Sequence, residues 1–373
     1  MRILLAGGGT AGHIQPALAI AACIRQHHPQ AEFLFVGVKG KMEASIVPKA
    51  GYDIRLLDVQ GFEHKRTLHA LRHNIKALFQ AGRSGSTCRR ILKEFRPDVA
   101  IGTGGYVCGP ILRAAGKAGI PVILHESNAF PGVTVKMLVR YATLILVGDE
   151  SAVKRLPAGA PVQVTGNPIR PQFLTLDKNG ARQQLELDSR PVILSVGGSL
   201  GARAINNAMA EVICRNQQEG FPVQIIHSAG HGGYENMCRL LEEKGVLTDD
   251  PAVRVRGYID DMPRCMAAAD VVVSRCGAMT LSELPAAGKP AVLIPSPYVA
   301  ENHQYYNAMA LVDKGAAVCI EEKDLTGEKL WETLWNIVSS PEKMRQMAAS
   351  AKAASVPDAA ERIYDAVRPY LPG

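Results

Sequence analysis

A chain of 373 residues, 47% hydrophobic and 21% charged, has a globular composition and is longer than one ordinary core needs, so two domains of roughly 170 to 190 residues are expected. No apolar run approaches the ~20 residues that span a bilayer, and stretches such as Ala142 to Val147 read as buried strands. The net charge of +7 points to an anionic partner, a nucleotide or a phospholipid surface, and nucleic acid is disfavoured because neither a zinc finger nor an aromatic single-strand platform occurs.

The chain starts on a short strand, Arg2-Ile3-Leu4-Leu5-Ala6, with no signal-peptide pattern, which predicts a cytoplasmic protein. The glycine loop GGGTAGH follows at 7 to 13, and then a helix over about 15 to 27. Strand 32–36, helix 41–50 and strand 54–57 come next, then a basic helical stretch at 66–95, strand 98–101, a second glycine segment GTGGYVCGP at 102–110, and strands at 121–124 and 143–147. The segment 162–168 ends on Gly166-Asn167-Pro168 and sets the domain boundary, with an N-terminal domain over 1–166 and a C-terminal one over 167–356.

The second half repeats the alternation, with strands near 192–196, 223–227, 253–255, 271–274, 291–294 and 317–320. Its first strand runs into GGSLGA at 197–202, 190 positions after the first glycine loop. A final helix over about 357–373 starts at Asp358-x-x-Glu361 and is expected to lay Ile363, Val367 and Leu371 back on the N-terminal domain. The alternation predicts an α/β protein of two Rossmann-like domains with parallel sheets facing across a cleft.

Each glycine loop would offer unpaired backbone N–H groups at a helix N-terminus, a site for phosphate or another electron-rich group. A nicotinamide dinucleotide is disfavoured, because the strand after the first loop ends in Gly37-Val38-Lys39 without the ribose-binding acid, and no Walker loop occurs. The eight cysteines are scattered, with no C-x-x-C pair and no histidines at zinc spacing, so neither structural zinc nor a disulfide framework is expected. Glu283, in SRCGAMTLSE at 274–283, has two readings on spacing alone. It could accept hydrogen bonds from both hydroxyls of a ribose, or it could close a capping box with Thr280.

Taken in order, GGGTAGH, GTGGYVCGP, HESN (125–128), GNPIR (166–170), VGGSLGARAIN (196–206), YIDDM (258–262), SRCGAMTLSE and ENHQYYNA (301–308) resemble the MurG family over nearly the whole chain. Those enzymes transfer N-acetylglucosamine from UDP-N-acetylglucosamine to complete the lipid-linked disaccharide-pentapeptide precursor of bacterial peptidoglycan. The resemblance implies a GT-B fold, with the donor mainly on the C-terminal domain and the acceptor on the N-terminal one, and a metal-independent inverting transfer with no cofactor. It implies Glu283 on the ribose, Ile259 at the uracil, and Ser199 with Ala278, Met279, Thr280, Leu281 and Ser282 around the nucleotide and phosphates. Arg170 is expected near the nucleotide, and Gln304, Asn128 and Thr10-Ala11-Gly12 on the sugar side. The first loop departs from the family's usual GGTGGH by carrying Ala11.

Inverting transfer needs a base for the acceptor hydroxyl. His13 at the helix start is the first candidate and Glu126 the second, and the other reading of His13 is a plain hydrogen bond to its own loop. A polyprenyl-linked acceptor further implies a peripheral protein on the cytoplasmic, anionic face of the bacterial membrane, with other cell-wall synthesis proteins as further partners. Ile75, Leu78 and Phe79 beside Lys76 and Arg83 would form that membrane surface, unless their apolar stripe faces the core. The rival readings are a UDP-N-acetylglucosamine 2-epimerase of the same architecture and a non-catalytic nucleotide-sugar binding subunit.

Overall fold

The computed structural model describes residues 1–59, 84–198, 200–246, 250–299 and 302–372. The chain divides into two compact units, Met1–Ile169 with Asp358–Gly373, and Arg170–Pro357. Each is a parallel sheet flanked by helices, the outcome that alternating apolar strands and amphipathic helices dictate.

Unit 1 holds seven strands, β1 (Arg2–Gly7), β2 (Glu32–Val38), β3 (Asp53–Leu57), β4 (Val99–Gly104), β5 (Val122–Glu126), β6 (Leu144–Val147) and β7 (Val162–Val164). Their order is β3-β2-β1-β4-β5-β6-β7, all parallel. The Val162-x-Val164 segment, ahead of the Gly166-Asn167-Pro168 turn residues, pairs with β6 as a short edge strand. Unit 2 repeats the winding with β8 (Val192–Val196), β9 (Gln224–Ser228), β10 (Val253–Arg256), β11 (Val271–Ser274), β12 (Ala291–Leu293) and β13 (Ala317–Cys319), in the order β10-β9-β8-β11-β12-β13. The strand order reverses between β1 and β4 and between β8 and β11, which leaves a crevice at the carboxyl edge of each sheet.

Central strands are buried on both faces, so β1, β8 and β11 read as near-continuous apolar runs without alternation, and β5 does so up to the buried His125 and Glu126 at its end. The terminal helix Ala359–Val367 buries Ile363 and Val367 against Ile20, Ile24 and Phe33 of unit 1. Its Asp358-x-x-Glu361 start does not cap it. Asp358 pairs with Arg362 at 2.8 Å, and Glu361 reaches His27 at 2.8 Å. The described part of the basic stretch is a helix over 84–95, which puts Cys88, Ile91 and Leu92 in the core and leaves Arg89, Arg90 and Lys93 exposed. No helix among the described residues is long and apolar enough to cross a membrane.

One carboxylate fastens the first glycine loop to this frame. Glu43 is fully buried, accepting from Val38 N at 2.9 Å and Gly9 N at 3.0 Å. A side chain on Gly8 would lie 2.2 Å from its Oε1, so the loop can rest on this carboxylate only through glycine. Glu43→Ala leaves one buried and one part-buried N–H group without a partner and should cost on the order of 2–4 kcal/mol in urea unfolding. A loss below ~1 kcal/mol would mean that water replaces the carboxylate.

Candidate functional site

In unit 1 the loop after β1 leads into the helix Ala11–His27, whose N-cap Thr10 is extended. Among the described residues that helix has no side-chain cap and no acid in its first turn, so the N–H groups of its first turn point to whatever occupies the crevice. Ala11 sits at the first helical position, where an L-residue is unstrained, so its methyl group does not disturb the loop backbone. Thr10, Ala11 and Gly12 are all partly or fully accessible.

His13 is half-buried in the first turn, with Nδ1 3.1 Å from Gly8 O and 3.3 Å from Thr10 Oγ1. A carbonyl only accepts, so in the neutral ring Nδ1 carries the hydrogen and Nε2 keeps the lone pair. The ring lies over Gly104, where an added Cβ would come within 2.9 Å of Nε2. Thr103 Oγ1 donates to His13 O at 2.6 Å, tying the end of β4 to the helix start. Thr103 and Glu43 both support His13 and its loop, and neither is visible as a motif, because their partners are main-chain atoms, which carry no residue type.

Glu126 ends β5 and is buried, with its oxygens already engaged. Oε1 accepts from Asn128 N and Asn128 Nδ2, both at 2.9 Å, and Oε2 accepts from Gly132 N at 2.7 Å. These bonds make it the organiser of the 127–132 loop and orient Asn128. His125 is fully buried, its Nε2 3.3 Å from Gly166 O, and burial pulls its pKa down to about 4, so it stays neutral.

In unit 2 the loop after β8 leads to the helix Arg203–Gln218, which has N-cap Ala202, no side-chain cap and no acid in its first turn among the described residues. Gly201 packs so closely on the turn at Ala229 that a Cβ would lie 2.1 Å from Ala229 O. Ser199 lies outside the described residues. The helix Ala278–Ala286 starts from Gly277, also without a side-chain cap or a first-turn acid, which leaves the N–H groups of Ala278, Met279 and Thr280 at the crevice. Thr280 is therefore inside the helix, and the capping-box reading of Thr280 with Glu283 does not hold.

Glu283 is buried one turn in, 8% exposed, with Arg170 Nη2 3.7 Å from its Oε1. Burial pushes its pKa up to about 7 from the usual 4.5, and Arg170 only partly offsets this. Arg170 stacks over Phe173 at 4.8 Å, and its buried Nε has no hydrogen-bond partner among the described residues. A buried carboxylate with one long ion pair beside an unsatisfied guanidinium N–H has hydrogen-bonding capacity open to a polar ligand. Leu281 and Ser282 share this helix, with the Ser282 hydroxyl donating to Ala278 O at 3.0 Å. Gln304 Oε1 accepts from Cys276 N at 3.3 Å and Ser296 N at 2.9 Å, joining the loops that follow β11 and β12. Ile259 is buried at 3% exposure in the turn before the helix Met262–Ala268.

Two doubly wound parallel sheets, each with a glycine loop opening onto an uncapped helix, define the GT-B class of α/β protein. Residues 3–147 match the glycosyltransferase family 28 N-terminal domain, and residues 192–363 match the family 28 C-terminal domain. The UDP-N-acetylglucosamine--N-acetylmuramyl-(pentapeptide) pyrophosphoryl-undecaprenol N-acetylglucosamine transferase of Acetivibrio thermocellus is 41% identical over 373 residues, covering 100% of this chain and 98% of the relative. The crystal structure of Acinetobacter baumannii MurG matches with a TM-score of 0.71 at 29% identity, covering 99% of each chain. The UDP-GlcNAc 2-epimerase of Neisseria meningitidis bound to UDP-GlcNAc matches with a TM-score of 0.68 at 15% identity over 99% of this chain and 100% of that one, which is a likeness of fold alone. The chain belongs to glycosyltransferase family 28 and, within it, to the MurG family of N-acetylglucosaminyltransferases.

Glu283 binds its proton more tightly folded than unfolded, so wild-type stability should fall as pH rises from about 4.5 through about 7 and then level off. Glu283→Gln removes this loss. Its Tm should exceed that of the wild type by a few degrees at pH 8, and the gap should close towards pH 4.5. Parallel Tm curves for the two proteins across that range would show that the carboxyl titrates normally.

Proposed function

We propose that this protein transfers N-acetylglucosamine from UDP-N-acetylglucosamine to the 4-hydroxyl of the N-acetylmuramoyl-pentapeptide of undecaprenyl-pyrophosphate-linked lipid I, with inversion, giving lipid II for peptidoglycan synthesis. The observation that carries this reading is the pairing of Glu283 with Arg170 at an uncapped helix start, in a chain similar over its full length to enzymes named for that reaction. The epimerase reading is left with fold similarity alone.

Unit 2 holds the donor in this proposal. Ionised Glu283 accepts from both ribose hydroxyls, Arg170 supplies its unpaired N–H, and Ile259 offers an apolar contact to the uracil. The N–H groups of Ala278 to Thr280 and the loop around Ser199 stabilise the pyrophosphate as it leaves. Gln304, Asn128 and Thr10 to Gly12 contact the sugar. Unit 1 takes the acceptor, and His13 Nε2 removes the proton from its 4-hydroxyl as the oxygen attacks the anomeric carbon. Glu126 supports Asn128 and its loop, since three N–H groups already occupy its oxygens.

Transfer of labelled N-acetylglucosamine to a short-chain lipid-linked acceptor tests the assignment. Glu283→Ala should raise the KM for the donor at least tenfold. His13→Ala should lower kcat by about 100-fold or more with little change in donor KM. Unchanged turnover in His13→Ala removes His13 from the mechanism, and a wild type that isomerises the donor without transferring it supports the epimerase.

The acceptor lies in a membrane, so the protein docks there peripherally, on the anionic cytoplasmic face, through Ile75, Leu78 and Phe79 with Lys76 and Arg83. These five residues lie outside the described ones, and the proposal rests on their cationic, apolar sequence. Reversing the charge of Lys76 and Arg83 together should weaken binding to phosphatidylglycerol vesicles by about tenfold or more, at ~1 kcal/mol for each basic residue. Undiminished binding would end this assignment.

A further inference from the structure

Outside both crevices, one group of side chains combines three kinds of metal ligand. Cys23 and His27 lie four residues apart on the helix Ala11–His27 and so share one of its faces. The terminal helix Ala359–Val367 brings Glu361 against them from 334 positions further along. His27 Nε2 is 2.8 Å from Glu361 Oε2, Cys23 Sγ is 3.5 Å from Glu361 Oε1, and the ligand atoms of all three lie within 4.8 Å of one another. The His27 ring is held by stacking on Tyr364 at 3.9 Å, and the Tyr364 hydroxyl is 3.0 Å from His28 Nε2. Cys23 is 6% exposed, while His27 and Glu361 are about half accessible, so an ion could enter from solvent.

We propose that Cys23, His27 and Glu361 form a binding site for a zinc-type divalent cation, which clasps the terminal helix to the first helix of unit 1. Sulfur, imidazole and carboxylate are the ligands zinc takes, at ~2.0–2.3 Å, and a tetrahedral set at those lengths stands about 3.5 Å apart. The separations of 2.8 and 3.5 Å, and the 4.8 Å limit on the whole set, put the three groups within reach of that geometry by side-chain torsions. Solvent completes the fourth position. The charges also match, because a thiolate and a carboxylate balance a doubly charged ion. Without an ion, burial and the carboxylates of Glu361 and Asp365 push the Cys23 thiol up to about 12, so it stays protonated. Binding therefore breaks the S–H bond, forms a sulfur–metal bond and releases one proton to the buffer. His27 Nε2 donates to Glu361 in the ion-free protein, so on binding its hydrogen passes through solvent to Nδ1 and the Nε2 lone pair takes the metal, the neutral ring keeping one hydrogen throughout. The site lies on the last turns of the helix whose first turn carries His13, away from that helix's N-terminus, and does not depend on the transfer reaction.

The test uses the full chain stripped of metal and titrated with Co2+. One equivalent should give the near-ultraviolet absorption of thiolate–cobalt charge transfer together with four-coordinate visible bands, and Zn2+ should displace it. Cys23→Ser should abolish the charge-transfer band, and His27→Gln and Glu361→Gln should each weaken binding at least tenfold. One equivalent of Zn2+ should raise the Tm of the wild type and not that of Cys23→Ser. If Cys23→Ser fails to fold, the variants at accessible His27 and Glu361 carry the test. No charge-transfer band in the wild type, a band that survives in Cys23→Ser, unweakened binding in the other two variants, or a Tm indifferent to Zn2+ would overturn the site.

Discussion

Parallel strand pairing is the constraint from which both crevices follow. A parallel strand can be followed by another only through a crossover, and right-handed crossovers send every strand's exit to the same edge of the sheet. The glycine loops after β1 and β8 therefore open at the carboxyl edges, beside the exits of β4 and β11 where the strand order reverses. Helices starting there direct their first N–H groups into the crevice, and no side chain caps those of Ala11–His27, Arg203–Gln218 or Ala278–Ala286 among the described residues. Open backbone donors at a switch point suit an anionic ligand.

Two buried glutamates show how the same side chain serves two ends. Glu43 accepts from backbone N–H groups of two different segments, one on each oxygen, and its work is done once the loop is seated. Glu283 has one ion pair at 3.7 Å, and its proton affinity is raised by burial. Such a carboxylate detracts from stability at neutral pH, and the arrangement makes physical sense when a ligand's hydroxyls complete its hydrogen bonding. The same contrast separates His13, whose Nε2 keeps a lone pair at the crevice, from Glu126, whose oxygens hold a loop.

Much of this was legible in the chain. Apolar runs of four to six residues separated by helical patterns are sufficient for two parallel sheets, and the glycine loops mark where each crevice lies. Glu283 was visible as a residue but ambiguous in role, because Thr280-x-x-Glu283 fits a capping box. Only the start of the helix at Gly277, three residues earlier, excludes that reading. Glu43 and Thr103 carried no signal, since they bind main-chain atoms of Gly9, Val38 and His13, and main-chain partners leave no residue type to recognise. Asp358-x-x-Glu361 predicted a cap, yet its acids pair with Arg362 and His27 instead.

The sequence by itself determined the elements, the doubled glycine loop and the family, because periodicity and local motifs depend on neighbours a few residues apart. Tertiary structure decided which polar atoms are already satisfied and which remain for a ligand. Burial raises the pKa of Glu283, Gly8 carbonyl sets the tautomer of His13, and the return of the terminal helix brings Glu361 to Cys23 and His27. Desolvation and hydrogen-bond partnership are properties of the space around an atom, and that space is filled by the folded chain as a whole, including residues hundreds of positions away.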